Sequence, residues 1–171
     1  MNAQGSALSE SPKSTGKGLA VALLVIGLVI GLGAGYFVAP GPRTAPGNVI
    51  EVQGSSVHLA ALSGPGLVFS IGGLENPTIS VERGANVTVH FSNIDSLPHS
   101  FVVVAQGPPY GADPPAAALP GAETPMAMDG TMAGENASAS FTASTAGTYY
   151  YVCHVPGHAS AGMYGTFNVR A

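Results

Sequence analysis

The pattern of apolar and polar residues changes at Pro40 and divides the chain into two segments. Residues 18–39 form a run of 22 residues without a charge. The residues after Pro40 fall into short apolar runs separated by Gly, Pro and Asn. A helix of 22 residues extends about 33 Å, enough to cross the hydrocarbon core of a bilayer. The pattern therefore predicts a transmembrane anchor over 18–39, followed by a separate domain.

The residues that flank the predicted anchor indicate its orientation. Lys13 and Lys17 lie in residues 1–17, a segment of small polar residues predicted to be a flexible tail, and only Arg43 follows the anchor closely. The positive-inside rule places the tail in the cytoplasm and the domain on the extracytoplasmic side of the cell membrane. A cleaved signal peptide is the alternative, but its apolar region normally spans about 7–15 residues, and Pro40 stands where cleavage would have to occur.

The remaining sequence has the period of β-strands. Residues 40–48 are rich in Pro and Gly and predict a stiff spacer, and beyond them apolar and polar residues alternate, as in 86–92 and 137–142. The predicted strands are 49–53, 57–62, 67–71, 78–81, 86–92, 100–105, 137–142, 148–152 and 165–169. Many short strands without an amphipathic helix predict an all-β domain over 49–171, a Greek-key β-sandwich.

One long segment of this domain lacks strand periodicity. Residues 106–136 are rich in Pro, Ala, Gly and Met, and a loop of that length is usually functional or mobile. Met126, Met128 and Met132 lie within it, and their thioethers could bind Cu(I) or offer an adaptable docking surface. An ordinary mobile loop is the third interpretation.

Composition excludes several classes of function. Charged residues make up 8% of the chain and the net charge is −4, so no basic face for nucleic acid is expected. The chain has one cysteine and therefore no intrachain disulfide. In an oxidising compartment Cys153 must be buried, reactive or bound to a metal.

The residues around that cysteine form a set of soft metal ligands. Cys153, His158 and Met163 follow one another at intervals of five residues, and a second imidazole is available at His99, which Pro98 precedes. Two His, one Cys and a weak axial Met form the trigonal blue-copper arrangement. Taken singly, the Cys and the Met are more often core residues, but their joint spacing favours copper. Zinc accepts Cys and His but makes no use of a thioether.

The chain from about residue 67 to 169 resembles the cupredoxins, most closely the sulfocyanin and rusticyanin type of single-copper protein. The resemblance depends on NPTISVERGANVTVHFSNIDSLPHSFVV and on YYYVCHVPGHASAGMYGTFNV. It implies that His99, Cys153 and His158 bind one type 1 copper ion in a plane, with Met163 as the axial ligand. Ser100 stands where many cupredoxins have Asn, which predicts weaker support of the copper thiolate.

The expected function is electron transfer, not catalysis. We expect Cu(II)/Cu(I) cycling between redox partner proteins of a membrane respiratory chain, with no small-molecule substrate and no nucleic acid. One alternative is an extracytoplasmic copper-trafficking protein that uses the Met-rich loop. The other is an enzyme of the multicopper oxidase type, because CHVPGH resembles the copper loop of those oxidases. No His-x-His pair occurs, however, so we expect His154 to point out of the sandwich, and His58 and His90 stand alone within strand patterns.

Overall fold

The computed structural model describes residues 43–45, 47–64 and 66–171. Within these residues the regular structure is entirely β, as predicted, and forms two sheets. The eleven strands are β1 Arg43–Ala45, β2 Val49–Glu51, β3 Ser56–Gly64, β4 Val68–Ile71, β5 Leu74–Glu75, β6 Thr78–Glu82, β7 Asn86–Asn93, β8 Val102–Val104, β9 Asn136–Thr142, β10 Gly147–Val152 and β11 Tyr164–Arg170.

Each of the nine predicted strands is present, and two further strands are found. β5 follows the turn at Gly72 and Gly73, whose positive φ angles suit glycine. β1 pairs with β2 and falls within the predicted spacer 40–48, so part of that segment belongs to a sheet.

The predicted tail 1–17 and anchor 18–39 lie outside the described residues. No helix among the residues that are described is long and apolar enough to cross a membrane.

The chain passes repeatedly from one sheet to the other. One sheet has the order β1-β2-β6-β11-β10-β8, and the other has the order β5-β4-β3-β7-β9. Most neighbouring strands are antiparallel, but β6 is parallel to both β2 and β11, and β3 is parallel to β7. Such crossings are typical of Greek-key sandwiches. They bring β8, β10 and β11 side by side, and these strands flank the candidate site.

Alternating side chains from both sheets form the core. In β11 every second residue is buried, the pattern expected of a strand with one face toward the core. Phe69 of β4 and Tyr151 of β10 meet edge to face, with ring centroids 5.3 Å apart. Tyr151 is fully buried and donates its hydroxyl proton to the carbonyl of Pro77 at 2.6 Å. The polar end of this ring is therefore paired, as burial requires.

The long segment 106–136 packs closely along β8. The Ala118 and Thr124 amides donate to the carbonyls of Val103 and Phe101, at 2.8 and 3.0 Å. Leu119 and Ala122 join the buried core. The segment therefore covers the outer edge of β8 and pairs its backbone groups, which an exposed strand would leave open.

Candidate metal centre

Three predicted ligands, His99, Cys153 and His158, converge on one point. The His99 and His158 Nδ1 atoms are 3.2 Å apart, and the Cys153 Sγ atom lies 3.9 Å from the first and 3.5 Å from the second. His99 and Cys153 are fully buried, whereas His158 is half-buried. This is a compact donor set with a single ring near solvent.

The strands explain why residues so far apart in sequence meet. His99 lies just before β8, Cys153 lies just after β10, and β8 pairs with β10 through Val102 and Val152. The short loop from Cys153 to Met163 then closes on itself. The Cys153 amide donates to the Met163 carbonyl at 3.1 Å, and the Met163 amide donates to the His158 carbonyl at 3.0 Å.

The segment that carries His99 is fixed by one buried amide side chain. Asn93 accepts hydrogen bonds from the Ser63 hydroxyl at 2.6 Å and from the Asp95 amide at 2.9 Å. It donates to the carbonyls of Leu97 and Thr131, both at 2.7 Å. All the hydrogen-bonding capacity of this side chain is used to hold the turn before His99, which supports a single conformation of the turn.

A glycine in the long segment permits close approach to the same turn. Gly130 has φ +82°, and a Cβ atom there would lie 2.9 Å from the His99 amide nitrogen and 2.9 Å from a methyl group of Val155. Both the backbone conformation and the space therefore require glycine.

Asp95 determines which nitrogen of His99 is available to a metal. The His99 Nε2 atom lies 3.1 Å from the Asp95 carboxylate, to which it donates a proton. That hydrogen bond lowers the pKa of Asp95. With its proton on Nε2, the ring keeps a lone pair on Nδ1, the atom that faces Cys153 and His158.

Burial shifts the pKa values of the other two predicted ligands, His158 and Cys153. Burial and the nearby His99 lower the pKa of His158, so the neutral, metal-binding form of its ring is favoured. Burial raises the pKa of the Cys153 thiol, and hydrogen bonds from the backbone of Ser100 and Val155 oppose that effect. Metal binding therefore has to displace a proton from the thiol.

Ser100 supports the cysteine more than the sequence suggested. Its amide nitrogen lies 3.4 Å from the Cys153 sulfur and its hydroxyl oxygen 3.8 Å. The same oxygen accepts the His154 amide proton at 2.9 Å. Its own hydroxyl proton is thus free to point toward the sulfur, and Ser100 makes contacts of the kind expected of Asn.

His154, which was predicted to point out of the sandwich, is buried beneath the long segment 106–136. Its Nε2 atom donates to the carbonyl of Pro115 at 2.7 Å, which ties the long segment to the ligand loop. Ser100 therefore holds the backbone of His154, and Pro115 holds its ring. The sequence shows no signal for this contact, because the two residues come together only in the fold.

Met163 is fully buried in the same apolar cluster as Cys153. Its backbone position places it at the end of the ligand loop, immediately before β11. Its role as axial ligand remains a prediction.

The chemistry of this donor set fits copper. An ion held by all three residues, with bonds of about 2.0 Å to nitrogen and about 2.3 Å to sulfur at about 120° to one another, would separate the two nitrogens by about 3.5 Å and nitrogen from sulfur by about 3.7 Å. The observed separation of the two nitrogens is 3.2 Å, and the sulfur lies 3.5 and 3.9 Å from them. Thiolate favours Cu(I) and imidazole serves either oxidation state, so the three residues fit a copper ion that changes its charge.

Comparisons with known proteins agree with this geometry. Residues 66–170 match the family model of copper binding proteins of the plastocyanin/azurin family. Rusticyanin from Acidithiobacillus ferrooxidans is 37% identical over 135 residues, which cover 74% of this chain and 84% of rusticyanin. Auracyanin-B from Chloroflexus aurantiacus is 34% identical over 105 residues, 54% of this chain and 45% of that protein.

Solved structures show the same fold. The structure of reduced rusticyanin at 1.9 Å superposes with a TM-score of 0.64 at 32% identity, covering 74% of this chain and 87% of that one. A 1.27 Å structure of rusticyanin from Thiobacillus ferrooxidans also gives 0.64 at 33% identity, covering 76% and 87%. The chain therefore belongs to the plastocyanin/azurin family of copper binding proteins, the cupredoxins, and its cofactor is one type 1 copper ion.

Proposed function

We propose that this cupredoxin is a membrane-anchored electron carrier that passes one electron at a time between partners of a respiratory chain. As a cupredoxin similar to rusticyanin it is an electron-transfer protein. The observation that carries the proposal is the convergence of His99, Cys153 and His158, with only His158 approaching solvent. Bound copper supplies the Cu(II)/Cu(I) couple.

The protein's contribution is to hold the ligands in one arrangement for both charge states. Asn93 fixes the turn before His99, Asp95 fixes its ring, and Ser100 fixes the backbone after Cys153. Ligands that are packed and hydrogen-bonded cannot move far when the metal charge changes. The small rearrangement favours fast electron transfer, and we assign Met163 the role of weak axial ligand.

The half-buried ring of His158 is the proposed route for the electron. Exposed apolar side chains occur in the two segments that meet beside His99: Ile94 and Leu97 in its turn, and Met132 next to Thr131. A patch of this kind suits a brief encounter with a partner protein. The surrounding chain is mildly acidic, which favours a cationic partner.

The anchor and its orientation are supported by the sequence. Residues 18–39 carry no charge, and Lys13 and Lys17 precede them, so the copper domain is placed on the extracytoplasmic face. β1 begins at Arg43, only a few residues after the predicted span. We propose that the anchor tethers the domain to the membrane that carries its redox partners.

The exposed Met126, Met128 and Met132 favour copper trafficking as a second candidate function. The two functions differ in what leaves the protein: an electron or an ion. The deciding experiment mixes the reduced, copper-loaded protein with an oxidised acceptor cupredoxin and with a copper-free acceptor. A carrier reoxidises in the first mixture and retains its copper in the second. Loss of copper to the metal-free acceptor without electron exchange would overturn the carrier assignment.

A further inference from the structure

Two histidines outside the copper centre face each other on the outer surface of the five-stranded sheet. His58 of β3 and His90 of β7 are both exposed. In the parallel pairing of these strands, His58 lies opposite Thr88 and His90 lies opposite Ala60, so the two rings are diagonal neighbours. The Nδ1 atom of His58 lies 3.2 Å from the Nε2 atom of His90.

The distances show how the rings are oriented. The ring centroids are 5.5 Å apart and the ring planes differ by 6°. Each nitrogen lies about 1.15 Å from the centroid of its ring. Adding this length at both ends of the 3.2 Å nitrogen separation gives about 5.5 Å, the full distance between the centroids. This is possible only if the two centroids and the two nitrogens lie on one line. The rings are therefore coplanar and end to end, not stacked face to face, and the two nitrogens point directly at each other.

We propose that His58 and His90 form a second copper site that binds Cu(I) in linear, two-coordinate geometry. Opposed imidazole nitrogens impose an angle of about 180° at an ion between them, and monovalent ions with a filled d shell favour that geometry. Zn²⁺ usually takes four ligands in a tetrahedron. Two bonds of about 1.9 Å require a separation of about 3.8 Å, which small rotations of these exposed side chains from 3.2 Å provide.

The protons balance without any release to solvent. Before the ion binds, one N–H bridges the pair, and the accepting ring carries its proton on its other nitrogen. When the ion enters, the bridging proton moves to the far nitrogen of its own ring. Both imidazoles remain neutral, and each gives one lone pair to the ion.

The charge of the surrounding surface favours a monovalent ion. Along the outward face of strands β3, β7 and β9, the neighbours of the pair are uncharged. These neighbours are Ser56, Ala60, Asn86, Thr88, Ser92, Asn136, Ser138, Ser140 and Thr142. No carboxylate lies among these neighbours to pair with a second positive charge, and Glu123 lies in the cleft beyond Ser138. A monovalent ion needs less such compensation than Cu(II) or Zn²⁺.

Soft donors lie next to this face. Ser138 of β9 is the cross-strand partner of His90 and also lines a cleft with Met126 and Met128. These two methionines are 72% and 47% exposed. Thioethers select Cu(I), so a transient contact with these methionines can deliver an ion of this kind to the histidine pair, where the two imidazoles hold it.

The test is a titration of the full-length, copper-loaded and reduced protein with Cu(I), under anaerobic conditions, against a chromogenic Cu(I) chelator. The wild type is expected to bind one further equivalent. His58→Gln and His90→Gln each leave one imidazole, and loss of the two-point attachment is expected to weaken this equivalent by on the order of 10²-fold. X-ray absorption of the extra copper is expected to show two nitrogen neighbours.

The matched control replaces the loop thioethers: Met126→Leu, Met128→Leu and Met132→Leu together. This variant is expected to keep the extra equivalent, and all variants are expected to keep the visible band of the main centre after reoxidation. The proposal would be overturned if the wild type binds no extra Cu(I), if the histidine variants bind it as well as the wild type, or if Zn²⁺ competes for it at comparable concentration. Loss of the extra equivalent in the methionine variant alone would also overturn it.

Discussion

Ser100→Ala tests how the protein adjusts the copper thiolate. The Ser100 hydroxyl accepts the buried His154 amide proton at 2.9 Å and directs its own proton toward the Cys153 sulfur at 3.8 Å. Alanine removes both contacts and changes little else, because Ser100 is fully buried and the two side chains are similar in size. One substitution therefore perturbs both stability and redox potential.

The two effects have separate magnitudes. Leaving the His154 amide unpaired in the interior costs about 1–3 kcal/mol of unfolding free energy. A hydrogen bond to the thiolate withdraws electron density and favours Cu(I), so its loss lowers the reduction potential. At this long distance the contact contributes about 1 kcal/mol, less than an ordinary charged hydrogen bond, which corresponds to about 40 mV.

Chemical denaturation of the metal-free protein measures the first effect, and voltammetry of the copper-loaded protein measures the second. Ser160→Ala is the control, because Ser160 lies in the same ligand loop but is exposed and bonds only to the Gly157 carbonyl. The control is expected to change stability by less than about 0.5 kcal/mol and to leave the potential unchanged. A potential that rises in Ser100→Ala, or equals that of the control, would refute the role given to the hydroxyl.

Three further substitutions test the surroundings of the copper. Met163→Leu is expected to raise the potential. Met163→Gln is expected to lower it, because the oxygen of Gln is a harder donor and favours Cu(II). Any other order of the potentials in voltammetry would show that Met163 is not the axial ligand. Asp95→Asn keeps an acceptor for His99 but removes a negative charge, so the potential is expected to rise. Glu82→Gln is the control: Glu82 ends β6 and pairs with Arg170, at the end of β11 far from Met163, so this change is expected to leave the potential unchanged. His154→Ala is expected to keep the same copper content as the wild type and a similar spectrum. It is expected to loosen the long segment, measured as faster amide exchange near Pro115. Loss of a copper equivalent on this change would support the oxidase alternative.

The sequence was sufficient for most of the fold because strand periodicity is a local signal. Nine strands were predicted at about their observed positions. β5 was missed because two residues are too few to show a period, and β1 was missed because Pro and Gly around it favour a spacer. β1 forms because it pairs with β2; its own sequence does not have the pattern of a strand.

The candidate site was predictable where its residues are close in sequence or chemically distinctive. Cys153, His158 and Met163 share one loop, and His99 follows a turn residue at the start of a strand. Asn93 and Gly130 were not predicted, because their contacts depend on how the long segment passes the ligand turn. Neither residue has a feature that marks it in the sequence.

Register explains the remaining differences. His58 and His90 appeared isolated because they lie on different strands, and only the parallel pairing of β3 with β7 brings their rings together. His154 was expected to point out of the sandwich, because the chain has no His-x-His pair for a second copper cluster. The packed segment 106–136 covers that side and buries it.

The visible absorption spectrum of the oxidised, copper-loaded protein tests the central claim most directly. The account predicts an intense thiolate-to-Cu(II) band from one type 1 centre per chain. The band disappears in Cys153→Ala because the chain has no other cysteine. A weak spectrum in the wild type, or an intense band that persists in Cys153→Ala, would contradict the assignment of Cys153, His99 and His158 as a blue-copper centre.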